Sequence, residues 1–288
     1  MATEKIAWAI TVQNSVALLH PEYQSPPYTS DEVRFVDLSI SKEEQVFVIA
    51  LKNSDTELHY SNLTFPPQWK SAEIEVNEAD DYPEDYEPPK DAVPLETGSL
   101  QAVRIDVGPN GIGYLVFNDG RLGQFDLPSE KSKDPIVWAQ VDGVSGVSQV
   151  SAAPDGLVWV VARDSERGSV VRFQNPKNGE WKTVAGINDA RRVTGRQNGG
   201  AYVVDGGGSI KEVSPKGVVE RTLNFDHGGA RELSVGAGDR LWVTSSHPSI
   251  SAGALKVYHT DNEGTDWQEV DGSGVLYLDA GQITSGFK

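Results

Sequence analysis

The chain carries five histidines, His20, His59, His227, His247 and His259, the residue type best suited to acid–base work near neutral pH. His20, His59 and His259 end or nearly end apolar-patterned runs that recur along the chain, which sets them at similar radius in different units and keeps them apart. His227, in DHGGA, precedes the first run of a unit and has the reach toward a common axis. No Ser-His-Asp arrangement, HExxH, P-loop or GxGxxG context accompanies them, so no catalytic residue is assigned and no cofactor is expected. A second set of chemistry-bearing residues recurs just after apolar runs: Gln13-Asn14, Asn53 to Asp55, Asn118-Asp119, Arg163-Asp164, Asp205 and Ser245 to His247. Amides, carboxylates, guanidinium groups and hydroxyls at such positions can pair with the hydroxyls of a sugar. The same residue types are the ones that turns favour, and both readings stand.

What positions these residues is a repeated unit. SAAPDGLVWVVARDSERGSVVRF, from Ser151, holds an Asp-Gly turn, an apolar run centred on Trp159, a polar break and another apolar run. The same order appears from Val103, Arg191 and Arg231, and with a less typical turn from Val36. The aromatic centres are Trp8, Phe47, Tyr114, Trp159, Tyr202 and Trp242, at spacings of 39, 67, 45, 43 and 40 residues. A further strand often opens on tryptophan, at Trp69, Trp138, Trp181 and Trp267, whereas VVERTLNF lacks one. A period near 40 with several short strands per unit predicts an all-β, six-bladed β-propeller of four-stranded antiparallel blades. The N-terminal copy has no strand before it, and VLYLDAG from Val275 resembles a first strand with no second after it. The two ends are therefore expected to share one blade, closing the ring and removing an exposed edge. Residues 1–288 read as one domain. Trp159 and Trp242 lie in mid-strand apolar runs, where large rings fill the space between sheets; that role outweighs a stacking platform for sugars, although both remain candidates.

With 25 basic against 42 acidic residues the formal charge is −17, a field that opposes nucleic acid and anionic membrane surfaces. The 29 glycines and 16 prolines suit many turns, and the lack of cysteine excludes disulfides and thiolate metal sites. Ile6 to Ile10 is too short for a signal or membrane segment, so no membrane insertion and a cytoplasmic location are expected. The longest spacing contains EIEVNEADDYPEDYEPPKDAVPLE, Glu73 to Glu96, with ten acidic residues, four prolines and one lysine. It reads as a surface insertion over about 73–98. Carboxylates suit calcium, but the order lacks the Asp/Asn/Gly pattern of a calcium loop, and a solvated charged stretch is the simpler reading.

The units VSQVSAAPDGLVWVV and ARELSVGAGDRLWVT, with strands of the type WKTV and WQEV beside them, resemble the tectonin repeat of six-bladed propeller lectins. The likeness covers most of Val103 to Val270, and it departs where Val160 and Val243 stand in place of a glycine. It implies carbohydrate recognition without naming the sugar; the repetition of the polar loops makes several weak, quasi-equivalent sites the expectation. Asn118, Asp119, Arg163, Asp164, Asp205, Ser245 and His247 are the loop candidates, with glycans as the expected partners. A protein-interaction scaffold with a basic partner is the alternative, and a hydrolase or lactonase with an axial site is a weaker one.

Overall fold

Each repeat folds from the same local instructions. In the third complete unit Asp155 Oδ1 accepts the Leu157 amide at 3.0 Å, and Gly156 takes a positive φ of 88°, which closes a tight turn between two β-branched runs. Val147 to Ala152 and Val158 to Asp164 then pair antiparallel. The computed structural model describes residues 7–11, 14–19, 27–41, 45–53, 55–62, 69–74, 100–108, 111–128, 135–174, 179–236, 239–245, 255–261 and 264–279.

The strands form six four-stranded antiparallel blades. Blade 1 contains β4 (Arg34–Ile40), β5 (Gln45–Lys52), β6 (Asp55–Asn62) and β7 (Lys70–Glu73). Blade 2 contains β8 (Ala102–Val107), β9 (Ile112–Phe117), β10 (Leu122–Asp126) and β11 (Trp138–Gln140). Blade 3 contains β12 (Val147–Ala152), β13 (Val158–Asp164), β14 (Gly168–Gln174) and β15 (Trp181–Thr183). Blade 4 contains β16 (Ala190–Gly195), β17 (Ala201–Asp205), β18 (Ile210–Val213) and β19 (Val219–Leu223). Blade 5 contains β20 (Ala230–Val235), β21 (Leu241–Ser245), β22 (Leu255–Thr260) and the first part of β23 (Gln268–Asp279). The last part of β23 is the inner strand of blade 6, beside β1 (Ala7–Thr11), β2 (Ser15–Leu19) and β3 (Tyr28–Thr29).

The two chain ends share that blade as the repeat pattern predicts. Gln268, Glu269 and Val270 pair with β22, while Tyr277, Leu278 and Asp279 pair with Ile10, Ala9 and Trp8. The inner strands β4, β8, β12, β16, β20 and β23 touch in sequence, and β23 touches β4, so the ring is closed. All six aromatic centres lie on second strands. Trp8, Phe47, Trp159, Tyr202 and Trp242 are buried, whereas Tyr114 is half-buried. Apolar clusters fill the spaces between consecutive blades; the one holding Trp159 and Phe173 of blade 3 also holds Ile187, Val193 and Val203 around blade 4.

Two devices recur at the axis. First, one inner-strand side chain binds the next inner strand's backbone. Ser39 Oγ accepts Val107 N at 3.0 Å, Asp106 Oδ2 accepts Ala152 N at 2.6 Å, and Ser151 Oγ accepts Gly195 N at 3.0 Å. These three residues stand opposite Phe47, Tyr114 and Trp159 in their own blades. Second, every inner strand slips register near its start, between Phe35 and Asp37, Ala102 and Arg104, Val147 and Gln149, Ala190 and Arg192, and Ala230 and Leu233. In blade 6 the slip falls between Tyr277 and Val275. Such bulges re-aim the residues that they carry.

The first two residues of the expected insertion, Glu73 and Ile74, are held in the fold. Glu73 closes β7, and its carbonyl accepts Ile136 N at 2.9 Å; Ile74 is buried and bridges Ile136 in parallel, tying blade 1 to blade 2. Residues 75–98 lie outside the described residues.

Candidate functional site

Because all six blades run in the same sense, their second-to-third-strand turns share one face with the segments that precede the inner strands. Backbone bonds join the two sets: Gly120 O accepts Val147 N at 2.9 Å, and Gly208 O accepts Ala230 N at 3.0 Å. The described loop candidates lie in this collar, but much of their bonding capacity is used within it. Asn118 Oδ1 accepts Gln101 N at 3.2 Å, and Asp119 holds Arg121 through its amide at 3.0 Å and its Nε at 2.6 Å. Asp164 accepts the amides of Glu166 and Arg167, each at 3.1 Å; these bonds, that from Glu166 foremost, hold its carboxyl below the usual carboxylate range. Asp205 Oδ1 accepts Gly207 N and Ser209 N, both at 3.0 Å. Ser245 is buried and its hydroxyl donates to the His227 carbonyl. Arg163 is exposed, its amide bound to Gly146 O at 2.9 Å. His247 lies outside the described residues.

Trp159 and Trp242 are 0% and 1% exposed, so neither ring offers a face to a ligand from solvent. Trp159 stacks on Phe173 at 4.8 Å, and Trp242 lies against His259 at 5.0 Å, which is the packing role.

An open cleft lies in the collar between blades 4 and 5. It has a volume of about 420 Å³ and is lined by Gly207, Gly208 and Ser209 from the β17–β18 turn and by Thr222 to Asp226, Gly228 and Gly229 from the β19–β20 segment. Asp205 shapes one wall by capping the turn, and Ser245 fixes the other by holding His227. Glycine is required at position 208: φ is +80°, and a Cβ there would meet the Gly229 Cα at 2.6 Å. The half-buried Phe225 ring borders the opening and is itself braced by Trp267 at 4.8 Å and Tyr258 at 5.6 Å. The Trp267 indole N–H donates to Asn224 O at 2.8 Å, fixing the backbone while leaving the Asn224 amide group toward solvent. The Asp226 carboxylate is exposed, 3.4 Å from His227 Nε2.

No family model matches the chain, and no curated protein matches it by sequence. Solved structures do resemble it. A crystal structure of a protein of unknown function from Bacteroides caccae superposes with a TM-score of 0.60 at 10% identity, covering 96% of this chain and 98% of that one. YCF48, solved bound to D1 peptide, superposes with a TM-score of 0.52 at 14% identity, covering 93% and 82%. These likenesses are of fold.

His59 and His259 lie on the third strands of blades 1 and 5, as expected, whereas His227 is placed differently from the sequence expectation. His227 does not point to the axis: its ring stacks on Tyr258 of β22 at 4.5 Å. His59 pairs with Val48, one residue beyond Phe47, whereas His259 pairs with Trp242 itself, so the two face opposite sides of their sheets. His59 receives or gives a hydrogen bond to Tyr28 at 3.0 Å and meets Glu57 at 2.9 Å. No group of three or more potential metal-binding side chains occurs among the described residues, and no helix there is long and apolar enough to cross a membrane.

Sequence reasoning missed Asn224, Phe225 and Asp226. The available signal was the pair of glycine-rich stretches DGGGS and DHGGA, which are spaced to meet across one blade junction. It also missed Asp37. Atoms of adjacent blades surround this carboxyl, and desolvation pushes its pKa up to about 7 despite the Arg104 guanidinium and a 2.9 Å bond from Ile105 N, both of which favour the charged form.

Proposed function

We propose that this protein is a carbohydrate-binding propeller whose ligand occupies the cleft between blades 4 and 5. The observation that carries the reading is the placement of an aromatic ring, Phe225, beside the exposed side chains of Asn224, Asp226, Ser209 and Thr222 around a cavity of about 420 Å³. A sugar ring offers C–H faces to an aromatic surface and hydroxyls to amide and carboxylate groups, so recognition needs both kinds of group within one ring's width. The exposed Gly207 and Gly228 keep the rim open where a side chain would otherwise cover it. The resemblance of the Trp159 and Trp242 units to tectonin repeats points the same way. The proposed site lies at one blade junction, where Gly208 lies against Gly229 beside the cleft.

A glycan array with the purified chain, followed by calorimetry on the best binder, tests this. Asn224→Ala/Asp226→Ala is expected to weaken binding at least tenfold while leaving the thermal midpoint unchanged, since both side chains are exposed. A silent array, or parent affinity in the double variant, would overturn the reading. A second reading, a protein-interaction propeller, is favoured by the peptide bound to the structurally similar YCF48. It is supported if the array is silent and the same double variant loses capture of a protein ligand.

A further inference from the structure

The cleft between blades 4 and 5 has a charge preference as well as a shape. Among the described residues that line it, Asp226 is the one ionisable side chain; the others are glycine, hydroxyl, amide or apolar residues. The Asp226 side chain is 78% exposed, and its ion-pair partner, His227 Nε2 at 3.4 Å, is charged only when protonated. The His227 ring is itself stacked on Tyr258 at 4.5 Å.

The basic side chains on the strands of blades 4 and 5 do not offset this carboxylate. Lys211 on β18 lies 3.5 Å from Asp205, Arg221 on β19 lies 2.5 Å from Glu212, Arg192 on β16 lies 2.7 Å from Glu232, and Lys256 on β22 lies 2.7 Å from Glu269. Arg231, at the start of β20, is engaged as well, and Arg191 lines no part of the cleft. A ligand entering the cleft therefore meets one carboxylate and no cation on its walls. Phe225 adds a preference of the same sign, because the face of an aromatic ring attracts a cation that comes within about 6 Å of its centre. Trp267 and Tyr258 meet the Phe225 ring at 71° and 80°, which fixes its plane. At longer range the formal charge of −17 draws cations toward the molecule and repels anions.

We propose that the sugar held in this cleft carries a free amine, whose ammonium group is recognised by the Asp226 carboxylate and the Phe225 ring. The inference rests on the carbohydrate reading of the cleft and names the class of sugar. An acidic sugar meets the same carboxylate as a repulsion. Because Asp226 is exposed, water screens the ion pair, and pair and ring together favour an amine over a neutral sugar by roughly three- to tenfold. A lysine side chain carries the same ammonium, but its alkyl stem has no hydroxyls to pair with Ser209, Thr222 and Asn224, whereas a sugar ring has several.

The test is a ligand-observed NMR titration of the full chain with glucose, glucuronate and 6-amino-6-deoxyglucose, which differ only in the group on the last carbon. The aminosugar is expected to bind roughly three- to tenfold more tightly than glucose, and glucuronate more weakly than glucose. Asp226→Asn is expected to remove most of the preference for the amine while leaving glucose affinity near that of the parent, since the amide still hydrogen-bonds. In the parent, added salt should shrink the preference. Phe225→Leu is the second probe: it keeps apolar bulk without a π face and is expected to reduce both the preference and the affinity for glucose. Equal affinities for the three sugars, or the parent's preference in Asp226→Asn, would overturn the inference and leave the carbohydrate reading standing. Silence of all three sugars would overturn it too, and the carbohydrate reading would then fall only with a silent array. Nα-acetyl-lysine amide bound as tightly as the aminosugar would overturn a sugar as the bearer of the ammonium.

Discussion

The axis and the collar of this propeller join the same blades by different means. At the axis, the side chain opposite the second-strand aromatic in blades 1, 2 and 3 binds the next blade's backbone, and the residue filling that position changes from Ser39 to Asp106 to Ser151 without changing the bond. In the collar the backbone contacts repeat, but the side chains do not. Gly120 of blade 2 lies against Gly146, whereas Gly208 of blade 4 lies against Gly229 beside an open cleft. A repeated bond tolerates residue exchange as long as the acceptor stays, so the axis keeps the ring uniform. Side chains that carry no such bond are left to differ, and the candidate ligand groups Asn224 and Asp226 are of that kind.

The largest effect should come from opening the ring. Deleting residues 275–288 removes the strand paired with Trp8, Ala9 and Ile10. It uncovers two large buried side chains, each worth roughly 1.5–3 kcal/mol when fully buried, and creates an unpaired edge. The truncated chain is expected to unfold at least several kcal/mol more easily in a denaturant titration; an unchanged midpoint would show that closure contributes little.

A smaller effect is expected inside the axial ring. The folded-state pKa of Asp37, about 7, exceeds the ordinary carboxyl value of 3.8, so between these values the folded chain holds a proton that the unfolded chain has released. The associated stability is fully present below about pH 4 and is lost as pH rises through about 7. At roughly 1.4 kcal/mol per pH unit, the window amounts to about 4 kcal/mol as an upper bound, because Asp37 keeps some surface. Asp37→Asn keeps an acceptor for Ile105 N and does not titrate. The fall in unfolding free energy from pH 4 to pH 7 is expected to be shallower in the variant than in the parent, and parallel pH profiles would count against the assignment.

The smallest effect belongs to the collar. Asp164→Ala removes turn caps at exposed amides and should shift stability least of the three, as surface changes usually do. A loss comparable to that of the truncation would mean that the turns, and not the axis, hold the blades in place.

Much of the architecture was legible because its causes are local and periodic. The six aromatic centres, the tryptophans opening outer strands and the complementary chain ends all follow from alternation and turn chemistry. The site was less so. Asp119, Asp164 and Asp205 are the same residue types whether they cap a turn or meet a ligand, and only their bonds to Arg121, Glu166 and Gly207 place them in the first role. His227 precedes an inner strand in sequence, yet its ring turns outward to Tyr258, a contact between residues 31 apart that no local pattern encodes.

The sequence by itself determined the repeat, the blade number and the closure, since a sheet with two apolar faces must be covered on both and a period near 40 residues supplies the covers. The tertiary structure decided which loops open and which charges meet. Phe225 comes beside the Gly207–Gly208 turn, and Arg192 meets Glu232, only because blades 4 and 5 pack face to face. Side chains forty residues apart acquire a common chemistry through that packing, and no spacing within a single strand contains it.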